Sequence, residues 1–315
     1  MIRPDTSDPA GPPVVAVVGP TAAGKTALSL DLAEALGGEI VNTDSMQIYR
    51  GMDVGTAKLP AADRRGITHH LLDVIDVTEP ATVAEFQGWA RAVVDDCRSR
   101  GVTPILVGGS ALYTRAVLDR FEFPGTDPVV RAGLEVLLAE EGAEAMHARL
   151  AEKDPLAALA IQPSNGRRVV RALEVVHLTG RPFSATLPRQ EYFYDGAVQV
   201  GLDIDRPTLD DRIARRVEQM RAAGLVEEVR GLAADGLREG RTAQRALGYQ
   251  QVLAFLDGEL SEDEAFEQTV TGTRRFARKQ DGWYRKDPRI TWLGWDDPAR
   301  VADAVSAVRG SAGHD

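Results

Sequence analysis

The sequence predicts an α/β fold, a parallel sheet flanked by helices and interrupted by an all-helical subdomain. Three observations predict it. Apolar strand-like runs alternate with helical runs over residues 14–125. Residues 126–188 then carry helical patterning and no strand candidate. The run VQVGLDID, residues 198–205, restores the strand signal. Strand–helix alternation implies parallel strands, since each parallel return needs a crossover helix.

Residues 1–13, MIRPDTSDPAGPP, lack an apolar h-region and are expected to form a disordered leader rather than a signal peptide. VVAVVGPTAAGKTALSLDLAEAL, residues 14–36, reads as strand, Gly-rich turn and amphipathic helix. EIVN is a second short strand, and HHLLDVIDV, residues 69–77, a further strand region. TVAEFQGWARAVVDDCRSRG is a helix with Thr82 as N-cap, Glu85 completing a capping box and Gly101 at its end. TPILVGGS is a buried strand running into Gly-Gly-Ser, followed by the helix ALYTRAVLDR. Helix breaks are expected at Asp154-Pro155 and at PSNG. Long helices then run from Thr208 to about Trp283, RITWLGW adds an edge strand, and residues 299–315 form a peripheral helical tail that frays. The core is thus assigned to residues 14–125 and 189–298, and the insertion to 126–188.

With 315 residues, 43% hydrophobic and 27% charged, the chain has the profile of an ordinary soluble globular protein. No apolar run approaches the roughly 20 residues of a membrane span. The single cysteine, Cys97, has no partner for an internal disulfide, and zinc-type Cys/His spacing is absent, which fits a reducing cytosol. A net charge of −10 argues against indiscriminate nucleic-acid binding, although an acidic total can still carry a local basic face.

GPTAAGKT matches the G-x-x-x-x-G-K-[ST] pattern between a strand and a helix. Gly19 and Gly24 permit dihedrals closed to other residues, so that successive N–H groups, including those of Thr21, Ala22 and Ala23, can point at phosphate oxygens. The helix N-terminus adds its dipole, Lys25 a full charge, and the Thr26 hydroxyl a ligand for Mg2+. The fold is therefore expected to be P-loop NTPase-like. The pattern identifies phosphates, not chemistry. PILVGGS ends without the acid of an NTP-hydrolysing motor, although a small-molecule kinase stays open.

Ligands of such sheets bind at the carboxyl ends of strands, which is where Asp44 and Ser110 fall. Each is also compatible with a mere helix cap. On TLDDRIARRVEQM, helical periodicity places Arg216 within the stripe Leu209, Ile213, Val217 and Met220, while Arg215 points away. An inward arginine needs an anion, supplied either by a structural salt bridge or by a phosphate. Two basic clusters stand out. One holds Arg167, Arg168 and Arg171; the other, TRRFARKQDGWYRKDPR, holds Arg274, Arg275, Arg278 and Lys279 with aromatics interleaved. Such charge runs are usually solvated faces, but basic residues interleaved with aromatics, as in the second, suit RNA phosphate contacts plus base stacking. The histidines are taken as structural.

GPTAAGKT, DSMQIYRGMDVGTAK, LLDV, LVGGSALY, PSNGRRVVRALEV, RALGYQQ and TRRFARKQ, in this order, resemble the bacterial tRNA dimethylallyltransferases over nearly everything from Val14 to Trp295. The resemblance implies transfer of a dimethylallyl group from dimethylallyl diphosphate to the exocyclic amine of the adenosine 3′ to the tRNA anticodon. It implies that Asp44 is the general base, that Arg216 binds pyrophosphate, and that Ser110 stands where the family usually has threonine. Implied tRNA contacts are Asp44, Ser45, Met46 and Gln47; Ser110 and Arg131; Arg167, Arg168 and Arg171; and Ala246, Leu247, Gly248, Tyr249, Gln250 and Gln251. The insertion would grip the anticodon stem-loop, and the enzyme would be a cytoplasmic monomer using Mg2+. The zinc-finger extension of eukaryotic relatives is absent, consistent with the cysteine count. An adenylate isopentenyltransferase, a P-loop small-molecule kinase and a non-catalytic RNA-binding protein are the rival readings.

Overall fold

The computed structural model describes residues 11–121, 123–186 and 190–311. They fall into two compact units, one within Met1–Leu118 and Tyr192–Asp315, the other within Asp119–Glu191. The second unit extends beyond the helical 126–188 pattern at both ends, and residues 187 and 188 of that pattern lie outside the described residues.

The first unit is a six-stranded, all-parallel sheet in the order β3-β2-β4-β1-β5-β6. In chain order it starts with β1 (Val15–Val18), α1 (Lys25–Leu36), β2 (Gly38–Asn42), β3 (His69–His70), α2 (Val83–Ser99), β4 (Thr103–Val107) and α3 (Ala111–Leu118). The second unit follows with α4 (Pro128–Lys153), α5 (Pro155–Ala160) and α6 (Gly166–Thr179). The first resumes with β5 (Val198–Asp203), α7 (Arg206–Ala222), α8 (Leu225–Ala234), α9 (Tyr249–Leu256), α10 (Glu262–Tyr284), β6 (Ile290–Gly294) and α11 (Arg300–Ser311).

Strand alternation sorts the core into two layers. Val15 and Val17 of β1 face Leu28 and Leu32 of α1, while Ala16 and Val18 face the layer holding Phe86, Ala90 and Val94 of α2. Thr82 caps α2 through the Glu85 N–H, as its sequence predicts, but the expected capping box does not close, because the Glu85 carboxylate accepts from the Thr82 hydroxyl rather than its N–H. Ser261 with Glu264 forms a full box on α10. Among the described residues no helix is long and apolar enough to cross a membrane.

Several expectations are corrected. The run at 69–77 keeps only His69 and His70 in a strand, because Leu71 and Asp73 adopt positive φ (60° and 57°) and turn the chain. Asp205 caps α7, so that helix starts at Arg206 rather than Thr208. Gly142 breaks the regular path of α4, a kink the pattern did not signal. The tail is no fraying periphery: Ala304 and Val308, one turn apart on α11, are buried against α1 and the sheet. Residues 312–315 lie outside the described residues, as do 1–10 of the expected leader. Its end is tied down, since the carbonyls of Gly11 and Pro12 accept from the Arg98 guanidinium.

Candidate active site

Loop 19–26 leaves the carboxyl end of β1 and turns into α1. Gly24 sits at φ 110° as the N-cap of α1 with no side-chain capping bond, a helix N-terminus suited to an anion. The Thr21 and Ala23 N–H groups, however, do not face phosphate as expected: they donate to Gln280 Oε1 at 2.8 Å and to the Pro20 carbonyl at 3.3 Å. Ala22 holds φ 64°, a left-handed conformation that non-glycine residues adopt uncommonly. The Ala22 carbonyl accepts from Arg212 Nε at 2.7 Å, so α7 braces the loop.

The full charge expected of Lys25 is not simply present. Its Nζ folds back onto the carbonyls of Gly19 and Pro20, at 3.0 and 2.8 Å. Burial, and after it the Arg216 guanidinium, lowers its pKa to about 7 from an ordinary 10.5, with Asp44 pulling the other way. Arg216 is itself lowered by burial, with Asp44 opposing and Arg212 adding to the effect. The Arg216 guanidinium makes no hydrogen bond or ion pair with any described residue. Of the two anions open to an inward arginine, the structural salt bridge is therefore absent. Arg216 and Lys25 leave the site poised for an external anion.

Asp44 stands past the end of β2, where Asn42 Oδ1 takes its N–H at 2.9 Å. One carboxylate oxygen accepts from the Met46 N–H at 2.9 Å, capping a turn rather than a helix. The other makes no hydrogen bond with a described residue. The capping and functional readings of Asp44 thus divide between its two oxygens. Ser110 does not cap α3 with its side chain: its Oγ lies 3.1 Å from Ser45 Oγ and accepts from the Ser45 N–H at 3.4 Å.

Two neighbouring cavities share this acid. One, about 410 Å3, is lined by Thr21, Gly24, Lys25, Thr26, Asp44, Arg216 and Gln280 among others. The other, about 330 Å3, is lined by Asp44, Ser45, Met46, Ser110, Ile213, Ala246, Leu247, Tyr249 and Phe276, with Arg216 again at its wall. A polar, cationic compartment and a more apolar one therefore meet at Asp44 and Arg216.

The remaining sequence candidates separate by their surroundings. Met46 and Gln47 sit beside Asp44, Gln47 donating to the Thr56 carbonyl at 3.0 Å. Tyr249 is fully buried and donates to Glu228 at 2.6 Å, and Gln251 accepts the Gly248 N–H. These two have internal structural partners, whereas Gln250 is exposed. On α10, Arg274 is spent on the Asp210 carbonyl, while Arg275, Arg278 and Lys279 are exposed beside an exposed Phe276. In the second unit, Arg131 and Arg171 both pair with the buried Glu174, whose carboxyl is held below the usual range because these bonds outweigh its burial. Arg167 and Arg168 are exposed.

The residues missed by sequence reasoning are those that hold the site together. Glu228 of α8 accepts from the N–H groups of Asp53, Val54 and Gly55 and from Tyr249. Lys58, buried, joins Asp53, Asp73 and the Tyr49 carbonyl. These bonds account for the segment MDVGTAK, in which a Cβ on Gly55 would come 2.4 Å from the Tyr249 ring. Arg212 was findable, since it lies four residues before Arg216 on the same helix face. Nothing in the local pattern marks Glu228.

The family model described as IPP transferase matches residues 47–287. A tRNA dimethylallyltransferase of Nocardioides sp. is 66% identical over 296 residues, covering 94% of this chain and 96% of the relative. One from Salinispora arenicola is 63% identical over 299 residues, covering 95% and 87%. Among solved structures, a full-length tRNA isopentenylpyrophosphate transferase from Bacillus halodurans has a TM-score of 0.71 at 38% identity, covering 95% of this chain and 96% of that one. A eukaryotic dimethylallyltransferase acting on tRNA has a TM-score of 0.80 at 26% identity, covering 94% and 77%. By the extent of these matches, this chain belongs to the IPP transferase family.

Proposed function

We infer that this protein transfers a dimethylallyl group from dimethylallyl diphosphate to tRNA, at the exocyclic N6 amine of the adenosine 3′ to the anticodon, releasing pyrophosphate. The observation that carries the reading is the meeting of the two compartments at Asp44 and Arg216. The cationic one suits the diphosphate and the apolar one the prenyl chain and a base. Its relatives are named for the transfer to tRNA, which does not favour the kinase and adenylate alternatives.

An aromatic amine is a weak nucleophile, so the barrier must fall through leaving-group stabilisation, alignment and proton removal. In the reaction the amine nitrogen forms the new bond to the prenyl C1, and the C1–O bond breaks with its electron pair leaving on pyrophosphate. The N–H groups of loop 19–26 other than those of Thr21 and Ala23, which already have internal acceptors, together with the Lys25 ammonium and Arg216, meet the charge that develops on the leaving oxygens. The unbonded Asp44 oxygen takes the amine proton, and the Ser45–Ser110 hydroxyl pair orients the amine beside it. The Thr26 hydroxyl lines the cationic cavity, where it suits Mg2+ carried in on diphosphate oxygens. When bound, the ion would neutralise diphosphate charge. Arg275, Arg278 and Lys279 supply RNA phosphate contacts on the first unit, and Arg167 and Arg168 on the second. The scheme is written for a cytoplasmic monomer, as the family resemblance implies.

The test offers labelled dimethylallyl diphosphate to hypomodified tRNA and to AMP side by side. Label should enter tRNA at the adenosine next to the anticodon. Labelling of AMP alone would overturn the tRNA assignment, and γ-phosphate transfer from ATP would overturn the prenyl one.

A further inference from the structure

Gln280, one turn before the end of α10, the helix that carries the motif TRRFARKQ, is 95% buried, yet its carboxamide meets only backbone groups. Its Oε1 accepts from the Thr21 N–H at 2.8 Å, and its Nε2 donates to the Gly109 carbonyl at 2.7 Å. The amide orientation is unambiguous, because an N–H can only donate and a carbonyl can only accept. Thr21 belongs to the loop assigned to the diphosphate, and Gly109 immediately precedes Ser110. One turn further on, the buried Tyr284 hydroxyl reaches the Gly108 carbonyl at 3.4 Å.

The glycine pair between these bonds is packed on both sides. A Cβ on Gly108 would come 2.4 Å from the Thr43 carbonyl carbon and 2.7 Å from the Asp44 nitrogen. A Cβ on Gly109 would come 2.3 Å from Gln280 Nε2. Asp44, Gly108, Gly109, Gln280 and Thr21 thus form one contiguous line from the base to the phosphate loop, with no slack along it. A polar side chain whose only purpose were to fill the core would not need two opposed backbone partners 88 positions apart in sequence, Thr21 and Gly109.

We propose that Gln280 is a positioning residue that sets the distance between the diphosphate loop and the Asp44–Ser110 acceptor side. The inference rests on the transfer reaction above. Gln280 touches neither the amine nor the prenyl carbon; it acts through Thr21 and Gly109. Misalignment of reacting groups by about 1 Å can lower a rate on the order of 100-fold without weakening binding to match.

The test compares wild type, Gln280→Met, Gly109→Ala and the double variant in tRNA prenylation. Methionine keeps the volume and removes both hydrogen bonds. Gly109 lies outside the positive-φ region, so alanine there acts through its contact with Gln280. Each single variant should lower kcat about 10- to 100-fold while KM for dimethylallyl diphosphate and for tRNA stays within about threefold. The double variant should be no more than about threefold slower than the worse single one, since both cut the same link. A kcat within twofold of wild type, a KM rise at unchanged kcat, or multiplicative losses in the double variant would each overturn the proposal. If Gln280→Met does not fold, Gly109→Ala decides by the same kcat-against-KM split. An inactive wild type would overturn the reaction itself, so the two failures are distinguishable.

Discussion

Diphosphate binding should draw a proton onto Lys25. In the ligand-free protein burial and Arg216 hold this amine at about 7, although its Nζ already has the carbonyls of Gly19 and Pro20. A group titrating at about 7 is neutral in roughly nine molecules of ten at pH 8, half at pH 7 and one in ten at pH 6. A diphosphate beside Nζ favours the charged form and moves the pKa back towards 10.5. Binding should then take up about 0.9 proton at pH 8, 0.5 at pH 7 and 0.1 at pH 6 through this group. Affinity should be level below pH 7 and fall up to about tenfold per unit above it. Complete restoration to an ordinary lysine caps the coupling at about 5 kcal/mol. The sign for folding is the opposite. The native chain binds fewer protons than the unfolded one between about 7 and 10.5, so the free protein gains stability as pH rises across that window. Calorimetric titration in buffers of different ionisation heat, at one fixed Mg2+ concentration, measures the uptake. Lys25→Met, run in parallel, removes the ligand's own protonation from the difference. Equal proton uptake by wild type and Lys25→Met at pH 8 would refute the reasoning.

Three further outcomes are expected. Asp44→Ala should lower kcat by about 10² to 10⁴-fold, the usual worth of a general base, with tRNA affinity within about threefold; near-normal turnover would remove Asp44 from that role. Glu228→Ala should cost about 3 kcal/mol or more in urea denaturation, because bonds to a charged acceptor contribute roughly 1.5–3 kcal/mol each and Val54 and Tyr249 both lose theirs. A loss below about 1 kcal/mol would show that other contacts hold the 53–55 turn. Replacing Arg275, Arg278 and Lys279 together by alanine should flatten the plot of log tRNA affinity against log salt by about 2, from a slope of roughly 0.7 per single-strand phosphate contact. An unchanged slope would place the RNA path elsewhere.

Much of the fold was legible because its signals are local. Strand–helix alternation, the Thr82 cap and the Gly19 and Gly24 positions depend on residues within a few places of one another, and all appear in the structure. The errors come where distant residues intervene. The 69–77 run looked like a strand, but Lys58 draws Asp73 inward at 2.6 Å through a turn. The tail looked peripheral because its few apolar residues, among them Ala304 and Val308, count only once α1 supplies a surface. The 126–188 helices were visible from their periodicity, whereas the Gly142 kink within α4 was not.

The sequence by itself determined that a glycine-rich loop of phosphate-binding pattern, an acid at a strand end and an inward arginine belong to one protein, since motif and periodicity are properties of short stretches. Only the tertiary structure decided how they act on one another. It buried Lys25 against Arg216 so that its pKa falls to about 7, and left one oxygen of Asp44 without a hydrogen bond to a described residue. It also placed Gln280 between Thr21 and Gly109. The first and the last of these depend on groups brought together across more than a hundred residues, where burial and bond geometry, not neighbouring sequence, fix a side chain's chemistry.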